Sequence, residues 1–160
     1  MTTRYDNSGA GDWALETRAI HVGHAPDEQT SARSLPIYNT TAYVFDSAEH
    51  AANRFNLADA GPIYSRLTNP TVDAVEQRLA NLEGGVAGVL FASGQAAETA
   101  AILTLARAGD HIVTSPRLYG GTETLFKVTL PRLGIDATFV ENPDDSESWQ
   151  VAVQDNTVGF

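Results

Sequence analysis

From residue 86 onward the chain alternates short apolar runs with helical stretches that end at glycine, and this alternation restricts the fold more than any other feature. Residues 86–92 are apolar without polar alternation, as a strand covered on both faces is. A Ser93-Gly94 turn leads into an alanine-rich helix predicted over 95–108 and closed by Gly109. A short strand is predicted over 111–114, then a loop over 116–121. A helix over 122–133, with Leu125, Phe126, Thr129 and Leu133 on its faces, ends at Gly134. A strand over 135–140, a loop over 142–146, a weak helix over 147–154 and the start of a strand at Val158 complete the pattern. Strands alternating with helices predict an α/β fold, a mainly parallel sheet with right-handed crossovers and helices on both faces. So small a parallel sheet keeps long unpaired edges, and the chain stops as a new element begins. The expectation is a fragment of a larger α/β domain.

The earlier half reads differently. Residues 1–12 are polar, carry both signs of charge and are expected to form a flexible terminus. Residues 13–45 scatter apolar residues among Pro, Asn, Ser and Thr, with no sustained period of 2 or 3.6. An arm of this kind is expected to lie on another surface. A short helix is predicted over 47–57, with Ser47 as N-cap and His50, Ala51 and Phe55 along it. The best-marked helix begins with Asn69 as N-cap and Pro70 at the first helical position, and ends at Gly84-Gly85. Val72, Val75, Leu79 and Leu82 recur on one face, the expected buried stripe. The expected organisation is therefore a terminus over 1–12, an arm over 13–68, and the start of a larger domain over 69–160.

Charge and composition narrow the function. The formal net charge is −10, which opposes binding to phosphodiester backbones, so nucleic acid is not an expected partner. Local donors can still hold one small anion. With no cysteine, disulfides and thiolate zinc sites are excluded. No apolar run reaches the length of a membrane-spanning helix, and residues 1–12 lack the apolar core of a secretory signal, so the expected location is the cytoplasm. His21 and His24 are three apart but lack a nearby third ligand, so no metal is expected. His50 and His111 read as structural, and Asp144-Asp145 as a solvated loop.

Three stretches could carry chemistry. Ser93-Gly94-Gln95 sits between an apolar run and a helix N-terminus, where free N–H groups and the helix dipole favour an anion. Gly94 lets the backbone come close and Ser93 adds a hydroxyl, so phosphate capture and an ordinary capped turn are the two readings. The turn lacks the three glycines of a dinucleotide fingerprint, the Gly-Lys of a P-loop and the glycine of a nucleophile elbow. Tyr64 and Arg66 stand two apart before a helix and, in an extended segment, offer a phenol and a guanidinium to the same side. Tyr119 follows a predicted strand, where α/β ligands gather, and its ring could stack on a flat heterocycle.

Taken together, the motifs resemble those of the Cys/Met-metabolism family of pyridoxal-phosphate (PLP) enzymes. They are Thr17-Arg18-Ala19-Ile20-His21, Pro36-Ile37-Tyr38-Asn39-Thr40-Thr41, Tyr64-Ser65-Arg66-Leu67-Thr68-Asn69-Pro70-Thr71, Leu82-Glu83-Gly84-Gly85, Ala92-Ser93-Gly94-Gln95-Ala96-Ala97 and Leu118-Tyr119-Gly120-Gly121-Thr122. The resemblance covers residues 16 to about 140 and implies part of a type I aminotransferase-like PLP-dependent transferase fold. Residues 37–45 and 93–99 are similar to the branch that converts O-acetyl-L-homoserine and sulfide to L-homocysteine and acetate. Cystathionine γ-synthases and methionine γ-lyases usually differ at some of these places, and an enzyme like one of these is the alternative expectation.

The resemblance implies roles for matched positions. Gly94 and Gln95, with Ser93, hold the phosphate. Tyr119 stacks on the pyridine ring. Tyr64 and Arg66 reach the cofactor phosphate of a neighbouring copy, so the arm crosses subunits in a homodimer or homotetramer. The substrate it implies is a small amino acid. The family also needs a Schiff-base lysine in a Ser-x-Thr-Lys setting, and no such lysine occurs in this chain. Nine of the ten basic residues are arginine, and Lys127, the one lysine, lies in a different context. The expectation is a PLP transferase of which these 160 residues alone are inactive. A non-catalytic cofactor- or phosphate-binding remnant is the expectation from another class.

Overall fold

A computed structural model describes residues 10–27 and 29–160. The reading of residues 1–12 as a flexible terminus falls almost wholly outside them, apart from a turn of 3-10 helix over Ala10–Asp12. The chain divides into two compact units, Met1–Leu90 and Phe91–Phe160.

Among the described residues the first unit holds three α-helices: α1 (Leu15–His21), α2 (Ala48–Phe55) and α3 (Pro70–Glu83). Helix α1 corrects the reading of residues 13–45 as wholly irregular. It is seven residues long, too short for a periodic stripe to stand out. Its turn after His21 packs on α3 at Gly23, whose φ is +94°. A Cβ there would lie 2.2 Å from the Ala74 carbonyl oxygen, so only glycine permits the approach. Ala74 and Ala80 are the buried residues of α3. The expected stripe of Val72, Val75 and Leu79 is instead exposed, because spacing marks an apolar face without saying what covers it.

The caps are as expected. Ser47 Oγ accepts the His50 N–H at 3.0 Å, and Asn69 Oδ1 accepts that of Thr71 at 2.9 Å. Helix α2 stops short of the expected residue 57, since Leu57 takes a positive φ of 58°. His50 closes α2 structurally: its ring packs edge-on to Phe45 and accepts from the Asp46 N–H at 3.2 Å.

The second unit carries α4 (Gly94–Leu105), β1 (His111–Thr114), α5 (Gly120–Thr124), α6 (Leu130–Arg132), β2 (Asp136–Phe139), α7 (Ser146–Ala152) and β3 (Thr157–Gly159). The sheet is parallel, in the order β2-β1-β3. Strand β1, in the middle, is buried throughout. Its His111 is almost fully buried and clamps both neighbours: Nδ1 lies 2.8 Å from Thr157 Oγ1, and Nε2 lies 2.8 Å from Thr138 Oγ1. Ala106, Ile112, Leu125, Phe126, Leu130 and Ile135 form the core beside it.

Two expectations fail in this unit and at its border. Residues 86–92 form no strand: a strand requires a ladder partner, and none pairs with them among the described residues. Val86 is fully exposed, and the Leu90 N–H donates to the Glu76 carboxylate at 2.7 Å instead. The helix expected over 122–133 is interrupted by a π-helical turn, Leu125–Thr129, in which the Leu130 N–H bonds to the Leu125 carbonyl. Pro131 accounts for it, because proline has no N–H and its ring clashes with the carbonyl four residues back. Leu130 is completely buried and Leu133 is exposed.

Candidate functional site

In a parallel sheet the helix that precedes a strand starts at that strand's carboxyl end. Ser93-Gly94-Gln95 and Tyr119 therefore share one edge of the second unit. Ser93 Oγ accepts the Ala96 N–H at 3.2 Å, and the Ser93 carbonyl accepts the Ala97 N–H at 3.1 Å. The first bond satisfies the Ala96 N–H and the second opens the helix ladder, leaving the N–H groups of Gly94 and Gln95 without intrahelical acceptors. Around Gly94, a Cβ would meet nothing within 4 Å. The turn is an open pair of backbone donors at the positive end of a 12-residue helix, a donor set that fits a phosphate group.

The loop that carries Tyr119 is tied to this turn. Thr122 is buried, and its hydroxyl donates to the Glu98 carboxylate at 2.9–3.0 Å. Gln95 Nε2 donates to Thr122 Oγ1 at 3.1 Å and to Glu98 Oε2 at 3.0 Å. Between Gln95 and the tyrosine lies Gly121, where a Cβ would fall 2.8 Å from the Tyr119 ring and 3.3 Å from the Gln95 side-chain amide carbon. On the other side of the loop, Arg117 makes a bidentate pair with Asp144 at 2.7 and 3.1 Å. Asp145 caps α7, accepting the Glu147 N–H at 3.1 Å. Tyr119 is 78% exposed. Sequence reasoning missed Glu98, Gly121 and Thr122. The signal was a threonine two residues after Gly120 and a glutamate in the second turn of α4, weak because the partners lie 24 and 27 residues apart.

In the first unit, Tyr64 and Arg66 also come together, with the guanidinium carbon 5.1 Å from the tyrosine ring centroid. The cause differs from the expected extended segment. The Tyr64 carbonyl accepts the N–H groups of Leu67 at 2.8 Å and Thr68 at 3.1 Å, so the segment is a turn and cation–π stacking pairs the two side chains. The arm motif is fastened to this turn. Ala42 bridges Tyr64, Thr71 Oγ1 accepts the Tyr38 N–H at 2.9 Å, and Asn69 Nδ2 donates to the Tyr38 carbonyl at 2.9 Å.

Lys127 is occupied: it pairs with Glu123 and lies 4.9 Å from the centre of the Phe139 ring. Among the described residues, no group of three or more His, Cys, Asp or Glu side chains is placed to hold a metal ion, and no helix is long and apolar enough to cross a membrane.

A parallel α/β sheet with a phosphate-ready helix N-terminus at its carboxyl edge is an arrangement that phosphorylated cofactors use. The family model for Cys/Met metabolism PLP-dependent enzymes matches residues 16–160, and the chain belongs to that family. It is 71% identical over 157 residues to the O-acetyl-L-homoserine sulfhydrylase of Corynebacterium glutamicum, covering 98% of this chain and 36% of that protein. It is 52% identical to O-acetyl-L-homoserine sulfhydrylase 1 of Thermus thermophilus, over 89% of this chain and 34% of the relative. The chain thus spans about a third of the length of the curated relatives it matches.

Solved structures agree. A Campylobacter jejuni crystal structure assigned as an O-acetylhomoserine (thiol)-lyase, containing N'-pyridoxyl-lysine-5'-monophosphate, matches with a TM-score of 0.82 and 45% identity, over 91% of this chain and 36% of that one. A cystathionine γ-lyase of Lactobacillus plantarum complexed with L-serine matches with a TM-score of 0.78 and 34% identity, over 91% of this chain and 35% of that one. The chain folds as part of the type I fold of PLP-dependent enzymes.

Proposed function

We propose that this chain supplies the phosphate-binding turn and the ring-stacking tyrosine of a PLP enzyme that makes L-homocysteine and acetate from O-acetyl-L-homoserine and sulfide. The observation that carries the site is the pair of free N–H donors at Gly94 and Gln95 with open space before them. The names of the relatives at 71% and 52% identity carry the choice of substrate. When bound, the cofactor supplies an electron sink for replacement at the γ-carbon.

The chain's own residues bind and orient. Gly94 and Gln95 donate backbone N–H groups to phosphate oxygens, and the Ser93 hydroxyl, which accepts from Ala96, keeps its proton for a third bond. Tyr119 lies against the pyridine face. Thr122, Glu98 and Gln95 fix the distance between tyrosine and turn. Tyr64 and Arg66 serve the phosphate of a second copy, with the arm over 13–68 crossing to it, in a cytoplasmic homodimer or homotetramer. The large cofactor domain starts at Asn69. The amine that the chemistry requires lies outside these residues, since Lys127 is held by Glu123 and Phe139.

The reading is tested on the full-length protein by identifying the product from O-acetylhomoserine with sulfide and, separately, with cysteine. Homocysteine with sulfide is the expected result. Turnover with cysteine alone overturns the choice of acceptor and leaves a cystathionine γ-synthase.

A further inference from the structure

In the first unit, α1, the loop that follows it and α3 line an open pocket of about 340 Å³, and its lining includes neither Tyr64 nor Arg66. Its wall carries His21, His24, Arg33 and Arg78 beside the apolar Ile20 and Leu35. Among the described residues no carboxylate lines it. Among the described residues, three acids close by in sequence are engaged elsewhere: Glu76 accepts the Leu90 N–H at 2.7 Å, and the other two are aspartates. Asp27 accepts from Thr30 at 2.7 and 2.8 Å, and Asp73 accepts the Asn69 N–H at 3.3 Å.

Neutral acceptors hold the two arginines instead. Arg78 Nε donates to the Val22 carbonyl at 2.7 Å, and its NH2 group donates to His24 Nδ1 at 3.0 Å. The Arg33 guanidinium meets His21 Nδ1, and His24 Nε2 lies 3.4 Å from the Arg33 carbonyl oxygen. A guanidinium can only donate, so both Nδ1 atoms accept. These contacts aim the guanidinium groups without cancelling their charge, and each keeps N–H donors to spare. In a chain of net charge −10, two arginines on a wall with no acid among its described lining residues make a local positive concavity, and such a concavity holds an anion whatever the net charge.

We propose that this pocket is an oxyanion site of phosphate type, in which Arg33 and Arg78 donate to the anion's oxygens and His21 and His24 orient them. The ligand is a tetrahedral oxyanion, because two forked donors on one concave wall match several acceptor oxygens on one centre. The site is built from other residues than the Ser93 turn, so the two can be tested independently.

The chain has four histidines, so the ring signals of His21 and His24 can be assigned by His→Asn substitution and followed by NMR. Inorganic phosphate is added in a phosphate-free buffer, with sodium chloride at equal ionic strength as the control. Both ring signals should shift and saturate with phosphate and stay still in chloride. Arg33→Gln, at an exposed position, should raise the half-saturation concentration about tenfold or more, the size expected for a lost charge-assisted contact. Arg78→Lys keeps the charge and the fold's cation but loses the fork, and should weaken binding as well. Equal shifts in chloride, an unchanged titration in Arg33→Gln, or shifts confined to the amides of Ser93, Gly94 and Gln95 would overturn the proposal.

Discussion

The Thr122 hydroxyl joins two stretches of chain that local sequence treats separately. It donates to Glu98 and accepts from Gln95, so the turn that starts α4 and the loop that carries Tyr119 move as one piece. Thr122→Val keeps the shape and removes the oxygen, leaving the Glu98 carboxylate and Gln95 amide each short of a partner. A loss of about 1–3 kcal/mol is expected, read from the urea midpoint. An unchanged midpoint would mean that the network is not formed in solution. Asp27 offers a second test at this scale. The Thr30 hydroxyl, and after it the Thr30 N–H, hold its carboxyl below the ordinary carboxylate range against an opposing desolvation, with the Gln29 N–H adding to them. The folded turn therefore favours the ionised form. Its contribution is present above the ordinary aspartate pKa and is lost as pH falls through the lowered value. The Thr30 amide signal should move with a midpoint below that of a free aspartate, and a midpoint at or above it would contradict the hydrogen bonds.

At the scale of elements, Gly23 sets how closely the end of α1 approaches α3. Gly23→Ala puts a methyl group into the Ala74 carbonyl at a positive φ, so the two must separate. Hydrogen exchange of the α1 amides should accelerate while β1 keeps its protection, and retained protection in α1 would contradict the close contact. This scale also shows what is legible in sequence. Ser47, Asn69 and Ser93 are legible as caps because a cap involves only one side chain and the N–H two or three residues on. Strand β1 is legible because an apolar run between breakers needs only to be covered. The run over 86–92 carries the same signal and stays unpaired, since a strand depends on a distant partner. The exposed stripe of α3 fails for the same reason. The π turn before α6 is different: Pro131 is in plain view, and its effect on the helix ladder follows from the sequence once proline's missing N–H is considered.

For the whole molecule, the family follows from motifs spread over nearly the entire chain, none decisive alone. The candidate site is legible at Ser93, Gly94, Gln95, Tyr119, Tyr64 and Arg66 as residue types. Their fastening by Thr122, Glu98 and the 36–42 arm is not, because those contacts span 22 to 35 residues. The proposal that the start of α4 in these 160 residues is a ready phosphate site, even without the family's lysine, is tested most directly by an NMR titration of this chain with pyridoxal phosphate and, in parallel, with pyridoxal. Saturating shifts of the Gly94 and Gln95 amides are expected with pyridoxal phosphate, and much smaller ones with pyridoxal. Amides that stay still, or that respond equally to both compounds, would contradict it.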